Sequence, residues 1–482
     1  MKVLSTRFWQ SLSSKKFQRL IFWRKTSSGN PNQEKAITEI KLHRTAYLDG
    51  LRGFAALIVT ISHHTGWSHS KDLSQFLILE SPWGHNGQYY TICAPLIRNL
   101  FSGGHLAVAI FFTISGYVLS SKALALMHTG DMDKLARNLS SALFRRWVRL
   151  YYPVIVTTFI FMTSWHVLSI RSSNTIQPEP EKTYIAEVQR WYRDTKVFSF
   201  VFDPQKPWNP YNDHTWSIPV EFRGSIAIFT SLLAFSSFTR QKRLLCETVL
   251  IFYFLIIVNG WASGCFCIGL LICDLDLLAT RDDLPEFLSR HRPKGKSGTL
   301  FYSIILLIGL YVGGVPTLND VAELRQAAGW YYLSFLKPRA FAEYARFYRT
   351  WGAGFIMVAT VQLPWLRTFF ETRICQFLGK VSFSLYLVHG PILWTLGDRF
   401  YAATGRPSLG TAEYVADWVN LYQLPEYGLY GLEVNAVIPF TLLLVITLGV
   451  AWVATKTIDE PAVKLGRWLF NLDFERKDES SL

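Results

Sequence analysis

Charge and cysteine are both scarce in this chain of 482 residues. Charged residues make up 17% of the sequence, against roughly a quarter in an average soluble domain. There are six cysteines and no CxxC pair, so we expect buried, inert thiols rather than a zinc site or a disulfide scaffold. Hydrophobic residues, in contrast, make up 50% and aromatic residues 15%. This composition excludes a disordered chain and favours a helical membrane protein.

Several well-known active-site motifs are also absent. The sequence has no GxSxG nucleophile elbow, no Walker A lysine, no HExxH pair and no GxGxxG fingerprint. The HxxxD signature of soluble acyl-CoA-dependent transferases is missing too. One HxxxxD spacing occurs, at His128 and Asp133, but no other matching piece lies near it and we interpret it as chance. The sequence therefore gives no support to a serine hydrolase, a P-loop NTPase, a zinc protease or a dinucleotide-binding enzyme.

The net charge of +14 does not indicate nucleic-acid binding, for which the basic residues should form a patch on a polar domain. Lysine and arginine instead lie in short clusters between apolar runs. In multi-pass proteins such clusters set the orientation of the chain in the bilayer. We therefore expect a lipid bilayer as the surrounding medium, no nucleic-acid partner and no obligate protein partner.

A membrane span needs roughly 17–25 mostly apolar residues, and ten segments have this character, giving an all-α transmembrane bundle. They are 48–67, 103–121, 151–170, 216–236, 244–260, 262–280, 299–316, 350–366, 381–397 and 433–455. The basic loops predict that both termini are cytosolic.

This topology divides the chain into a basic cytosolic tail over 1–43, a transmembrane domain over 44–455 and a cytosolic tail over 456–482. Residues 122–150 are predicted to be an inside loop. The segment 317–349 fits the charge rule least, because it is placed outside although it is rich in basic residues. The endoplasmic reticulum and the plasma membrane are not distinguished.

Two ionisable residues share the first apolar segment. Arg52 and His63 lie eleven positions apart, which on an α-helix is about three turns and a rise of about 16 Å, so both project from one face. Histidine suits general-base chemistry because its ordinary pKa lies near operating pH. His64 is rotated by about 100° and is expected to face elsewhere. In the alternative interpretation, His63 is a packed histidine and Arg52 extends to lipid headgroups.

Three further segments carry polar groups. Arg146 and Arg149 stand at the predicted inner end of the third span, where arginine suits phosphate recognition, although anchoring charge is the alternative. The motif TWSIPVE at 215–221 places Glu221 near the first turn of a helix, and a capped helix with an interfacial Trp216 is the alternative. His389 is a further histidine inside an apolar segment.

Taken in order, these segments resemble the acyltransferase 3 family of integral-membrane O-acyltransferases. The matching pieces are RTAYLDGLRG at 44–53, the Arg52–His63 pair, FFTISGY at 111–117, RWVR at 146–149, TWSIPVE at 215–221 and GKVSFSLYLVH at 379–389. The PVEFR form at 219–223 is similar to the fungal branch of the family.

The resemblance implies transfer of an acyl group, acetyl or another short chain, from acyl-CoA to a hydroxyl. It also implies that the Arg52–His63 pair and the two-arginine motif are essential. We therefore expect His63 to take the proton from the acceptor hydroxyl. Arg52, Arg146 and Arg149 are expected to hold the CoA phosphates. Acyl-CoA is a co-substrate in this scheme, and neither a bound cofactor nor a metal is expected.

The remaining site residues have less specific roles. Glu221, on the predicted topology, starts near the outer side, and we expect it to orient His63 or to bind acceptor hydroxyls. Trp216 and His389 are expected to contact substrate. The short outside segments favour a small-molecule acceptor such as a fungal secondary metabolite, with a cell-wall glycan or a lipid as alternative. A transporter or acyl-group carrier without catalysis is the alternative of a different class, although the chain shows no internal repeat.

Overall fold

The computed structural model describes residues 42–70, 73–170, 179–202, 208–408, 410 and 412–479. The chain divides into two units, Met1–Arg44 and Thr45–Leu482. Nearly all of the predicted tail over 1–43 lies outside the described residues. Over the described ranges every regular element is a helix, so the all-α prediction is confirmed.

The longer helices and their bounds are as follows. They are α1 (Ala46–Ser68), α2 (Leu73–Glu80), α3 (Gly104–Thr129), α4 (Met132–Leu168), α5 (Tyr184–Ser199), α6 (Ser217–Phe235), α7 (Arg240–Phe252), α8 (Trp261–Thr280), α9 (Glu286–His291), α10 (Gly295–Gly313), α11 (Val321–Gln326), α12 (Tyr344–Gln362), α13 (Pro364–Phe370), α14 (Arg373–Ile392), α15 (Asp398–Ala403), α16 (Val434–Ala454) and α17 (Glu460–Glu479). Single π-helical turns continue α7, α14 and α16.

The number of spans is smaller than predicted. Among the described residues, six helices are long and apolar enough to cross a membrane, or seven if α12 and α13, bent by 99°, form one span. Helix α7 is too short at 13 residues, and α1 and α14 carry polar residues that lower their mean hydropathy. Ten spans are thus not confirmed. Several apolar helices remain, as a multi-pass membrane protein requires.

Residues 122–150 are helical rather than a loop, which corrects the prediction. Gly130, at φ +73°, ends α3 in the left-handed conformation. The Asp131 side chain accepts a hydrogen bond from the Lys134 backbone N–H and so caps α4 at once. The 37 residues of α4 then run without interruption through Pro153. Arg146 and Arg149 therefore stand on one continuous helix, Arg146 partly buried and Arg149 exposed.

The contact between α1 and α14 depends on two glycines. A Cβ on Gly53 would lie 2.1 Å from the Gly379 nitrogen, and a Cβ on Gly379 would lie 2.4 Å from the Asp49 oxygen. Both distances are far below van der Waals contact, so the two backbones meet where no larger residue fits. This close approach fixes Arg52, the neighbour of Gly53, against the start of α14.

We predict that Gly379→Ala lowers the thermal stability of the detergent-solubilised protein. The added methyl group meets backbone, which cannot move aside, and overpacking of this kind costs about 1–3 kcal/mol. Gly449→Ala on α16 is the matched control because nothing lies within 4 Å of its Cβ position. That control should be neutral or slightly stabilising, since alanine favours helix over glycine by about 1 kcal/mol. Equal melting temperatures for the two variants would contradict the contact.

Candidate active site

Three histidines from three parts of the chain meet inside the bundle. His63 of α1 lies with its Nδ1 atom 2.9 Å from Nε2 of His389 of α14. The ring of His214, from the 3₁₀ turn before α6, stacks on His63 with a centroid distance of 3.9 Å. His64 faces elsewhere, as expected, and contacts the Tyr401 hydroxyl at 3.0 Å. These contacts define the histidine cluster, His63, His214 and His389.

The hydrogen bonds of the cluster assign its protons. His389 Nδ1 lies 3.1 Å from the Leu385 carbonyl oxygen, and a carbonyl oxygen can only accept, so this nitrogen carries the proton. With neutral rings, His389 Nε2 is then an acceptor, and His63 Nδ1 donates to it. The remaining nitrogen of His63, Nε2, is left with a free lone pair. His389 therefore holds His63 in the tautomer that a general base requires.

The same cluster brings ligand nitrogens within 4.8 Å of one another, which raises the question of a metal ion. A bound zinc lies about 2.0–2.1 Å from each nitrogen, in the plane of each ring. The three ring planes are parallel to within 8°, and the 2.9 Å between His63 and His389 is the length of one hydrogen bond. This arrangement fits a hydrogen bond between the two ring nitrogens and does not fit a metal ion between them. The absence of a metal stays a prediction.

His214 was not assigned a role from the sequence. The short segment before it is buried, with Tyr211 0% and Asn212 1% exposed, and the Asn212 amide donates to the Leu387 carbonyl oxygen at 2.8 Å. This hydrogen bond ties the segment to α14 and carries His214 to the middle of the bundle. Its position beside the TWSIPVE motif was the one available signal.

A cavity of about 600 Å³ contains the predicted arginines, and we call it the arginine cavity. Arg52 and Arg149 line it, together with Lys380, which no sequence pattern indicates as a site residue. Arg52 forms an ion pair with Asp49 at 2.8 Å. Within the described part of the chain Arg149 forms no ion pair shorter than 4 Å, so its donors are the ones best placed for an incoming anion.

Glu221 also lines the arginine cavity, whereas the predicted topology places Glu221 near the outer side and Arg146 near the inner end of a span. Arg146 donates to its carboxylate at 2.5 Å and to the Ser225 hydroxyl at 3.1 Å. The Ser115 hydroxyl donates to the same carboxylate at 3.0 Å. The reason is the buried segment before α6, which lets the helix begin at mid-bundle. Glu221 thus orients Arg146, and it is Arg146, not His63, that it contacts.

A second cavity of about 470 Å³ contains His63, His214 and Trp216, and we call it the histidine cavity. His389 does not line any of the cavities described here, because it lies behind His63 at 0% exposure. Tyr386 lines both the arginine cavity and the histidine cavity. Its hydroxyl contacts the Ser217 hydroxyl at 2.7 Å. Tyr386 therefore lies between the two cavities.

This arrangement, a basic cavity that shares Tyr386 with a histidine cavity, can bind an anionic donor beside a general base. The sequence profile of the acyltransferase 3 family, an acyltransferase domain, matches residues 45–456. The chain belongs to the acyltransferase 3 family. Membership confirms the resemblance, and it supports an O-acyltransferase that is built as a multi-pass membrane protein.

Curated relatives of this acyltransferase 3 protein agree with that assignment. It is 31% identical to the O-acetyltransferase PaAT-1 of Phomopsis amygdali over 398 residues, 76% of each chain. It is 24% identical to the acyltransferase clz18 of Cochliobolus lunatus, covering 74% of this chain and 84% of that one. The acyltransferase R4 of a Phoma species is equally similar, with the same coverage. No solved structure matches.

Proposed function

We propose that the protein transfers a short acyl group, such as acetyl, from acyl-CoA to a hydroxyl of a small-molecule acceptor. The observation that carries the proposal is the hydrogen-bonded histidine pair, since it leaves His63 Nε2 free to accept a proton in a cavity that adjoins a basic one. Family membership supports the reaction class. The identities of the acyl donor and of the acceptor are what we propose.

The donor enters through the arginine cavity in this proposal. Arg149 and Lys380, the latter 3.8 Å from the Glu460 carboxylate, bind phosphates of CoA. Arg52 and Arg146 are held in place by Asp49 and Glu221. Extended pantetheine is about 15 Å long, which is close to the rise of about 16 Å between Arg52 and His63 on α1. The thioester then lies near Tyr386, between the two cavities.

The reaction itself follows general-base catalysis. His63 Nε2 takes the proton from the acceptor hydroxyl, and the oxygen attacks the thioester carbonyl to give a tetrahedral intermediate. Collapse of the intermediate expels the CoA thiolate, which takes up the proton. The transfer produces an ester and free CoA. A cavity of about 470 Å³ suits a small molecule, and a fungal secondary metabolite is our proposed acceptor class.

The proposal is tested with membranes that express the protein, radiolabelled acetyl-CoA and host extract as a mixed acceptor pool. Label should enter an extractable product, and the label should be released as acetate by mild base, as an ester requires. Membranes from the untransformed host are the control. Binding of CoA without any transfer of label would favour the non-catalytic carrier instead.

We predict that His389→Phe lowers kcat about a hundredfold, at the low end of what general-base catalysis supplies. Phenylalanine cannot accept from His63 Nδ1, so the tautomer of His63 is no longer fixed. His389→Gln should recover much of the activity, because an amide can accept from His63 and donate to the Leu385 carbonyl. The KM for acyl-CoA should not change in either variant. Equal activity of the two variants would contradict a positioning role for His389.

A further inference from the structure

The segment that fits the charge rule least, 317–349, forms the wall of a third cavity. This cavity of about 700 Å³ is called the loop cavity, and it shares His105, Val108 and Trp216 with the histidine cavity. A molecule seated in it can therefore extend past Trp216 toward His63. The arginine cavity lies on the other side of Tyr386, so the loop cavity is not part of the proposed donor site.

The wall of the loop cavity has an excess of positive charge. Four basic side chains line it, namely Arg325, Lys337, Arg346 and Arg349. Two acidic side chains line it, Asp320 and Glu343. Both acids have partners: Asp320 caps α11 by accepting from the Glu323 backbone N–H at 2.9 Å, and Glu343 pairs with Arg346 at 2.7 Å. Neither neutralises Arg349 or Lys337 by a direct contact among the described residues.

Arg349 is the most informative of these groups. It is 9% exposed, yet the one hydrogen bond that its five N–H donors make to the described residues goes to Thr317 Oγ1, at 2.7 Å. A buried guanidinium is costly unless most of its donors find partners. Because it lines the loop cavity, a bound anion can supply those partners, and a carboxylate matches its planar fork. Trp208, Trp216 and Trp261 line the same cavity and suit a ring-bearing molecule.

We propose that the loop cavity binds the acceptor and selects one that carries a carboxylate as well as the reacting hydroxyl. Arg349 and Lys337 hold the carboxylate, the tryptophans pack against the body of the molecule, and the hydroxyl reaches His63 past Trp216. This inference rests on the proposed function, since it names the substrate class of that reaction. It also gives a physical reason for the basic residues of 317–349.

The test uses one acceptor extract divided into two halves, one of which is methyl-esterified to cap its carboxylates. Wild-type membranes should label the untreated half at least about tenfold more than the capped half, because a charge-assisted pair is lost. Saponification of the capped half should restore the labelling. Equal labelling of both halves would overturn the carboxylate, whereas no label in the untreated half would overturn the transfer function itself.

Two variants test whether Arg349 and Lys337 bind the carboxylate of the acceptor. Arg349→Gln and Lys337→Gln should each lower labelling about tenfold at a limiting extract concentration, and more extract should recover it, as a KM effect does. Arg339→Gln is the control, since Arg339 is exposed in the same segment and does not line the loop cavity; it should stay within about twofold of wild type. Because Lys337 is partly exposed, Lys337→Gln should still fold, and it tests the proposal if Arg349→Gln fails to accumulate. A wild-type response from Lys337→Gln in that case, or from both variants, would overturn the assignment.

Discussion

Transfer activity is expected to fall about a thousandfold in His63→Ala, because the general base supplies about 10²–10⁴ of the rate. The loss should be in kcat, since His63 lines the histidine cavity rather than the arginine cavity, which is the proposed donor site. Binding of acyl-CoA should be retained. The measurement is initial rates of label transfer at saturating acetyl-CoA, together with the amount of folded protein on gel filtration.

The adjacent residue provides the matched control for this experiment. His64 is a histidine on the same helix, 1% exposed, and it contacts Tyr401 instead of the histidine cluster. His64→Gln should retain transfer within about tenfold of wild type, with any loss explained by a lower yield of folded protein. If His63→Ala kept wild-type kcat, proton abstraction by His63 would be ruled out.

The second large effect is expected at the ion pair of Arg146 and Glu221, which are 11% and 18% exposed. Removing one partner of a buried pair leaves a charge in a low-dielectric site and costs about 3–5 kcal/mol. Arg146→Gln and Glu221→Gln should each lower the melting temperature and the yield. Both should also lower transfer at least about tenfold, because the wall of the proposed donor cavity is no longer ordered.

A double variant separates the two consequences of that loss. With Arg146→Gln and Glu221→Gln combined, no charge is left unpaired, and much of the stability should return. Transfer at low acyl-CoA should not return, because the guanidinium of Arg146, which lines the cavity, is still absent and glutamine offers fewer N–H donors to a phosphate. The decisive measurement is the KM for acyl-CoA in the double variant. A wild-type KM would show that the pair acts on stability alone.

The sequence predicted the parts of this site that depend on one helix. The eleven-residue spacing of Arg52 and His63 placed both on one face of α1, and the structure indeed brings each to a cavity. The resemblance added the arginines of α4. The contact of His63 with His214 and His389 could not be predicted from the sequence. These residues are far apart along the chain, and no local pattern indicates how they pack.

The difference between the ten predicted spans and the six or seven candidate helices of the described residues has a similar physical origin. A span count considers each apolar segment alone, whereas α1 and α14 carry polar residues, such as His63 and His389, that contact each other. Helix α6 begins inside the bundle because a buried polar segment precedes it. The predicted outer position of Glu221 rests on this span count, and the contact with Arg146 does not agree with it. Arg146 is the partner that a carboxylate at that depth requires.

Tyr386, which lines the arginine and histidine cavities alike, has a consequence for the products of the proposed reaction. A donor on one side and an acceptor on the other occupy separate volumes, so both can be present at the same time. Only the acyl group then passes from one to the other. In the proposed reaction CoA and the new ester are then formed in separate cavities, so neither product has to leave before the other.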